Sequence, residues 1–511
     1  MATHSSFGER AARAARSNVL LTPVIAVAGL TTSIVVVRTL SPAVFALYAL
    51  ALALRGGIQF VADLGFGGAS SRTFAELHES GARSQAQRVF LRLAAIRAAT
   101  MICLATVVAA VPGVFADLFN LHSGERYFLV FLVVIGTGEI AGGLGYYVLS
   151  GTLHHGTINK IALAQAATQP LLIIGAVASG FGLPGILGAL AAGSILRAAA
   201  LTVAALRVIR RIEDRGVVVE GMAATYTRVA SASIVGKAAA VLHSRQVVTP
   251  IAFSAVARPQ VAVFSVVYDW VHQLLTLASA PLYALLLPIF SAQRRDERFL
   301  RDFFRLVTRS LSLVVFPTAA ILLAVFPSMA AVLLPSSYAG DQGTAVAFAA
   351  IFVPFVAIEF VLSGPATSLM LAHESFAGAY RAIKLVTAFC AVVYFATAGI
   401  DLLVVAGIMM AVRTSSALAL HVELHNRLGL RIELAWIIRV IVASAVSGGL
   451  VVLVDSVLPG RAGDLVAGPA VGLATFLVLV RVARLLAEAD AAIAARVLPI
   501  GRTPLRLLTH S

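Results

Sequence analysis

The chain has 511 residues, of which 59% are hydrophobic and 12% are charged, and its mean hydropathy is +0.94. Soluble domains are about 45–50% apolar and about 25% charged. The composition excludes a soluble enzyme, a disordered chain and a nucleic-acid-binding module. Because the apolar residues occur in long blocks, it predicts a polytopic membrane protein, and the net charge of +15 is then interpreted through membrane topology.

Taken in chain order, the sequence predicts an all-α fold with fourteen membrane spans. A spanning helix needs about 20 predominantly apolar residues. The first apolar stretch is long enough to span, so it is interpreted as an uncleaved helix and not as a signal peptide. The predicted spans are 18–37, 43–63, 93–115, 127–149, 161–180, 183–206, 233–256, 261–290, 310–333, 344–363, 385–400, 402–422, 435–455 and 464–482.

The positions of lysine and arginine give the predicted orientation. With a cytoplasmic N-terminus, the inside segments hold 28 of the 39 basic residues when Arg481, at the inner end of the last span, is included, and the outside segments hold 4. Because cytoplasmic loops are enriched in Lys and Arg, both termini are predicted to be cytoplasmic. The outside loops are short, which leaves no room for the external domain of a membrane glycosyltransferase or polymerase. The chain is therefore expected not to be an enzyme.

Recognisable cofactor and disulfide motifs are missing from the sequence. Cys103 and Cys390 both fall in apolar runs, so no disulfide framework is expected. The sequence contains no P-loop, CxxC or HExxH motif, and so neither a nucleotide nor a metal is expected as cofactor.

The spans fall into groups that suggest an internal repeat. The predicted organisation is an N-terminal six-helix bundle (1–206), a cytoplasmic linker (207–232), a second six-helix bundle (233–422), and two extra helices with a basic cytoplasmic tail (423–511). Both bundles would start from the cytoplasm, so they would be parallel pseudo-symmetric repeats, a plan found in several transporter classes.

Two short stretches resemble a known family. The segment Val37–Tyr48 places Arg38, Leu40, Phe45 and Tyr48 at the first turn, and Asp63-Leu64-Gly65 follows at the inner end of span 2. This pattern resembles polysaccharide flippases of the multidrug/oligosaccharidyl-lipid/polysaccharide (MOP) exporter superfamily. The segments Pro288–Ser291 and Phe326–Tyr338 resemble later parts of the same family.

The resemblance implies a transporter that flips a polyprenyl-diphosphate-linked oligosaccharide from the inner to the outer leaflet. It implies alternating access of two halves, a role in cell-surface polysaccharide biosynthesis such as lipopolysaccharide or exopolysaccharide, and residence in the bacterial inner (plasma) membrane. Membrane lipids and polysaccharide polymerase or assembly proteins are the expected partners, and nucleic acid is not. A proton, sodium or the membrane potential would drive transport, and the sequence leaves the choice open.

Charged residues inside the predicted spans are the candidate site. A charge at mid-bilayer costs about 2.5–3.5 kcal/mol on insertion scales, so such residues usually face a bundle interior or a cavity. The basic members are predicted to bind the substrate phosphates, because guanidinium groups donate paired hydrogen bonds to phosphate. They are Arg55, Lys237, Arg245 and Arg413.

The acidic members, Glu139 and Asp269, are predicted to carry a coupling proton or to pair with a basic residue, and Asp63 to form part of an inner gate. Interhelical ion pairing, such as Glu139 with Arg55, is the alternative for each charge. That alternative is favoured more strongly for Arg197 and Glu359. Arg97 lies near the inner membrane face and is expected to extend towards it.

Two other functions within the superfamily stay open. A multidrug or organic-cation antiporter would be expected to have acids in span 1, which has none. A peptidoglycan lipid-precursor flippase would share the span count and a basic cavity. The segment Asp63–Gly65 favours the polysaccharide branch. A scaffold for polysaccharide assembly, without transport activity, is a further alternative.

Overall fold

A computed structural model describes residues 21, 23–63, 66–220, 226–227, 234, 238, 241–242, 244–292, 296–372, 377–397, 401–457 and 461–485. These residues fold almost entirely into α-helices. The helices are α1 (Pro23–Thr39), α2 (Pro42–Asp63), α3 (Phe66–Ser80), α4 (Arg83–Ala110), α5 (Pro112–Leu118), α6 (Tyr127–Gly151), α7 (His155–Ala178), α8 (Gly182–Arg211), α9 (Arg245–Ala255), α10 (Arg258–Ala292), α11 (Glu297–Leu333), α12 (Gln342–Ala372), α13 (Ala377–Thr397), α14 (Leu402–Leu428), α15 (Leu434–Val457) and α16 (Arg461–Val482). Short 3₁₀ helices precede α6 (Ser123–Glu125) and α12 (Ser336–Asp341).

The prediction of an all-α polytopic membrane protein is confirmed. Within the described residues, eleven helices are long and apolar enough to cross a membrane. Each of them overlaps one of the fourteen predicted spans, and the remaining three predicted spans overlap α1, α9 and α13. The cytoplasmic position of both termini stays a prediction.

Local sequence signals explain several helix ends. Pro42 begins α2, where its missing N–H costs no hydrogen bond. The Asp296 carboxylate caps α11 by accepting hydrogen bonds from the backbone N–H groups of Arg298 (3.1 Å) and Phe299 (3.0 Å). Gly81 turns the chain between α3 and α4 with a φ of 72°, which an L side chain rarely adopts.

The helices form two compact units. Unit one includes Val27–Ser265 and Lys384–Leu402, and unit two includes Val266–Ile383 and the described residues from Leu403 onwards. The predicted division at 206, 232 and 422 stays a prediction.

In unit one, α6 is the central helix and packs against α2, α3, α4 and α8. Its contact with α8 is the most extensive and depends on small residues. A Cβ at Gly138 would lie 2.8 Å from the Ser194 side chain, and a Cβ at Gly145 would lie 2.6 Å from the Leu201 backbone. Small residues allow close helix approach in membranes, so this contact fixes the position of α6 against α8.

In unit two, α11 packs against α12, α15 and α16. Its core includes the fully buried Phe326 and the largely buried Phe304. By contrast, α4 and α7 of unit one expose large apolar side chains, such as Leu91, Ile102 and Leu171. Such surfaces suit contact with lipid tails.

The described part of the predicted linker follows the end of α8. The helix continues to Arg211, and the next residues run along the turn between α3 and α4. The Arg215 N–H donates to the Gly81 carbonyl (2.9 Å), and the Val219 N–H donates to Gln85 Oε1 (3.0 Å). This segment is therefore part of unit one and is held beside α3 and α4 by hydrogen bonds that its backbone N–H groups donate.

Candidate functional site

Three helices of unit one bring charges together around Glu139 of α6. Its side chain is only 4% exposed. Arg55 Nε of α2 donates to Glu139 Oε1 (2.9 Å), and Arg55 Nη2 forms an ion pair with this oxygen at 2.6 Å. The Ser194 hydroxyl donates to the same oxygen (3.0 Å). Arg197 Nη1 of α8 lies 3.6 Å from Glu139 Oε2. The predicted alternative of ion pairing between Glu139 and Arg55 is therefore observed.

A cavity of about 330 Å³ opens beside this cluster. Glu139, Arg197 and Ser194 line it, and so do two tyrosines of α6, Tyr146 and Tyr147. Gly142 and Gly143 form part of its wall. The lining thus combines charged groups, aromatic rings and the glycine backbone of α6.

Arg97 of α4 adds a further guanidinium next to the cavity. It is buried, and its Nη1 donates to the Ile140 carbonyl (2.6 Å). Its guanidinium lies over the Tyr147 ring, 5.6 Å from the ring centroid, and a Cβ at Gly143 would lie 2.7 Å from Nη1. The expectation that Arg97 extends to the membrane surface is therefore wrong, because α6 supplies a carbonyl and an aromatic face at closer range.

Arg245 begins α9, which packs against α2. Its half-buried side chain and that of Arg55 both lie within electrostatic range of the buried Tyr48. The neighbouring Gln246 side chain fills the space beside Gly56 of α2. Two of the predicted phosphate-binding residues, Arg55 and Arg245, thus belong to one region of unit one.

Arg413 of α14 belongs to a separate cluster in unit two. Its Nη2 donates to Glu359 Oε1 of α12 (2.6 Å), and its Nη1 donates to the Tyr268 hydroxyl of α10 (2.8 Å). The Arg413 and Glu359 side chains are 14% and 20% exposed. This is a largely buried ion pair, which agrees with the alternative that the sequence favoured for Glu359.

A second cavity, of about 400 Å³, lies beside this pair. Its walls are α10 and α12, and most of its lining side chains carry hydroxyl groups. The lining residues include Thr276, Ser279, Tyr283, Ser363, Thr367 and Ser368, together with Glu359, Phe360 and Gly364. We refer to it as the hydroxyl-lined cavity.

Three predicted site residues cannot be placed in these clusters. Lys237 and the side chain of Asp63 lie outside the described residues, although Asp63 is the last residue of α2. Asp269 lies half-buried on α10, between Tyr268 and Trp270 in sequence. The roles predicted for all the site residues stay predictions.

The sequence contains a pattern of polar residues that indicates the hydroxyl-lined cavity, and a search for charged residues alone does not detect it. Glu359, Ser363 and Thr367 recur at intervals of four on α12, and Thr276, Ser279 and Tyr283 recur at intervals of three and four on α10. Both spacings place side chains on one helix face. Polar stripes on otherwise apolar spans therefore marked this cavity.

Comparison with known proteins places the fold. No protein-family model and no curated protein sequence matches the chain. Among solved structures, the lipid II flippase MurJ in an inward closed conformation is similar with a TM-score of 0.68 and 11% identity, over 90% of this chain and 96% of that one.

Transporters of the MOP superfamily are similar as well. An inward-facing multidrug resistance MATE family transporter has a TM-score of 0.61 and 14% identity, over 82% of this chain and 98% of its own. A MOP superfamily transporter from Pyrococcus furiosus has a TM-score of 0.60 and 12% identity, over 82% of this chain and 96% of its own. At these identities the likeness concerns the fold, and the chain has the fold of the MOP superfamily transporters.

Proposed function

We propose that this chain flips a polyprenyl-diphosphate-linked oligosaccharide from the inner to the outer leaflet of a bacterial inner membrane, by alternating access, for cell-surface polysaccharide biosynthesis. The observation that carries the proposal is the charge around the cavity of unit one. Among the described side chains there, Arg197 lines the cavity, Arg55 contacts the Glu139 carboxylate in its wall, and Arg97 lies over the Tyr147 ring beside it.

This excess of positive charge favours an anionic ligand. A charge inside the membrane costs about 2.5–3.5 kcal/mol on insertion scales, so one guanidinium group in the cavity lining and two beside it favour a functional role. A diphosphate presents several oxygen atoms, and guanidinium groups bind them through paired, charge-assisted hydrogen bonds. An organic cation would instead meet repulsion from the same groups.

The arrangement around Glu139 suggests how an empty cavity is stabilised. Glu139 accepts a hydrogen bond from Arg55 Nε (2.9 Å), forms an ion pair with Arg55 Nη2 (2.6 Å) and lies 3.6 Å from Arg197. We expect an entering diphosphate to compete with Glu139 for these arginines. The carboxylate would thus hold the basic groups in position while the lipid is absent, and it is also the candidate carrier of a coupling proton.

The test is to delete the gene and to extract polyprenyl-diphosphate-linked glycans from the cells. Rescue would use the wild type and the variants Arg197→Gln and Arg245→Gln. Arg427→Gln is the matched control, because Arg427 forms a partly exposed ion pair with Glu423 at i,i+4 spacing. We expect a lipid-linked oligosaccharide to accumulate, and only the wild type and the control to clear it.

Other outcomes would change the proposal in defined ways. Clearance by all four proteins would keep the function and remove the two arginines from the transport pathway. A lack of accumulation, together with increased sensitivity to cationic drugs, would favour a multidrug antiporter of the same superfamily.

A second candidate is a flippase for a peptidoglycan lipid precursor. The similarity to the lipid II flippase extends over 90% of this chain, against 82% for the MATE transporter. The same extract separates the two functions, since the precursor would be recognised by a peptide on its sugar. Accumulation of such a species, without an oligosaccharide, would favour the second candidate.

A further inference from the structure

We propose that the hydroxyl-lined cavity of unit two binds an uncharged saccharide. The inference rests on the proposed function, because it assigns the sugar part of that cargo to a site at one step of the transport cycle. The sequence predicted only an ion pair at Glu359. The cavity beside it adds an uncharged, hydroxyl-rich ligand.

The lining of the cavity suits a ligand with many hydroxyl groups. Six of its side chains carry a hydroxyl, three from α10 and three from α12. The Ser279 and Tyr283 hydroxyls donate to protein carbonyls and can still accept a hydrogen bond from a ligand. A hydroxyl both donates and accepts hydrogen bonds, and so do the hydroxyls of a sugar. Two facing walls of this kind can satisfy a saccharide without any net charge. The volume of about 400 Å³ falls within the range of about 300–1,000 Å³ typical of ligand sites.

The charges at the cavity oppose other ligands. The Glu359 carboxylate lies there, but Arg413 Nη2 lies 2.6 Å from it, and the two charges offset each other. A cation would have to displace this arginine, and a phosphate would meet the carboxylate. An uncharged polar ligand avoids both costs.

An aromatic ring is held in place beside the hydroxyl groups. The Tyr283 hydroxyl donates a hydrogen bond to the Phe360 carbonyl of α12, and the centroids of the two rings lie 5.8 Å apart. A Cβ at Gly364 would overlap the Tyr283 ring, so the glycine allows this ring to lie against α12. Sugars pack their C–H faces against aromatic rings, and a ring that is already fixed loses little entropy on binding.

The test compares two probes on the full-length protein in lipid nanodiscs. The probes are undecaprenyl diphosphate and the undecaprenyl-diphosphate-linked glycan extracted from the deletion strain, with undecaprenol as the uncharged reference. We expect Ser363→Ala combined with Thr367→Val to weaken glycan binding about tenfold, through the loss of two neutral hydrogen bonds. Binding of undecaprenyl diphosphate should not change.

The matched control is Thr308→Val combined with Ser312→Ala. These residues have the same spacing on α11, and their hydroxyls bond to carbonyls of their own helix (2.9 and 2.7 Å). If the first variant does not fold, Thr276→Val on the opposite wall replaces it, with an expected loss of about threefold.

The failures of the two proposals give different results. If the variant keeps the wild-type preference for the glycan over undecaprenyl diphosphate, the saccharide site is refuted and the proposed function stands. If the wild type binds undecaprenyl diphosphate no more tightly than undecaprenol, the proposed function itself is refuted.

Discussion

The ion pairs of Glu139 differ in geometry, and this difference predicts a ranked effect on stability. Arg55 donates one hydrogen bond to Glu139 Oε1 (2.9 Å) and places Nη2 2.6 Å from the same oxygen, whereas Arg197 lies at 3.6 Å, beyond a hydrogen bond. Hydrogen bonds to charged groups contribute about 1.5–3 kcal/mol, and removing one partner of a buried pair costs about 3–5 kcal/mol. Because Arg55 is 21% exposed, we expect Arg55→Gln to cost about 3 kcal/mol, at the lower end of that range. Arg197→Gln should cost about 1 kcal/mol, as expected for a partly exposed pair.

A double-mutant cycle isolates each pair from its surroundings. Each arginine variant would be combined with Glu139→Gln, and the free energy of unfolding would be measured in mixed micelles of detergent and SDS. The coupling energy should be about 2 kcal/mol for Arg55 with Glu139 and below about 1 kcal/mol for Arg197 with Glu139. Equal coupling energies would refute the assignment of Arg55 as the main partner of the carboxylate.

Two further predictions concern packing and the end of α10. Gly145→Ala would place a Cβ 2.6 Å from the Leu201 backbone, so the melting temperature should fall clearly. Gly175→Ala is the control, because a Cβ there meets open space. It should be neutral or should stabilise the protein by up to about 1 kcal/mol. Equal melting temperatures for the two variants would contradict the close contact of α6 with α8. Arg258 donates to both carboxylate oxygens of Glu125 (2.6 and 2.8 Å), and Arg258→Lys should lose about 1 kcal/mol of unfolding free energy because an ammonium cannot reproduce this fork. An unchanged unfolding free energy would mean that the paired geometry adds no stability.

The helical fold could be predicted from the sequence because the lipid bilayer imposes a simple rule. Runs of about 20 apolar residues must form helices, since the backbone polar groups have no water to bond. The apolar runs within α6 and α11 therefore predicted a membrane span in each helix. Their full lengths were harder to predict, because α11 extends from Glu297 to Leu333 through a basic amphipathic segment that hydropathy alone does not mark.

The candidate site could be predicted only in part. Arg55 and Glu139 stood out because each is a charge within an apolar span. Arg97 did not, since its position near the inner end of span 3 was compatible with a side chain that extends to the membrane surface. Its burial follows from the Ile140 carbonyl and the Tyr147 ring, which are contacts between α4 and α6 that no local pattern reveals.

The glycine at 143 has a consequence for how easily the specificity of the cavity could change. The Arg97 guanidinium occupies the space that a methyl group at this position would need. The end of a long side chain can move, so a single alanine there would push a positive charge away from the cavity without altering any ionisable residue. A single substitution that changes no charged residue would therefore reduce the positive charge beside this cavity, and it would do so by a steric effect.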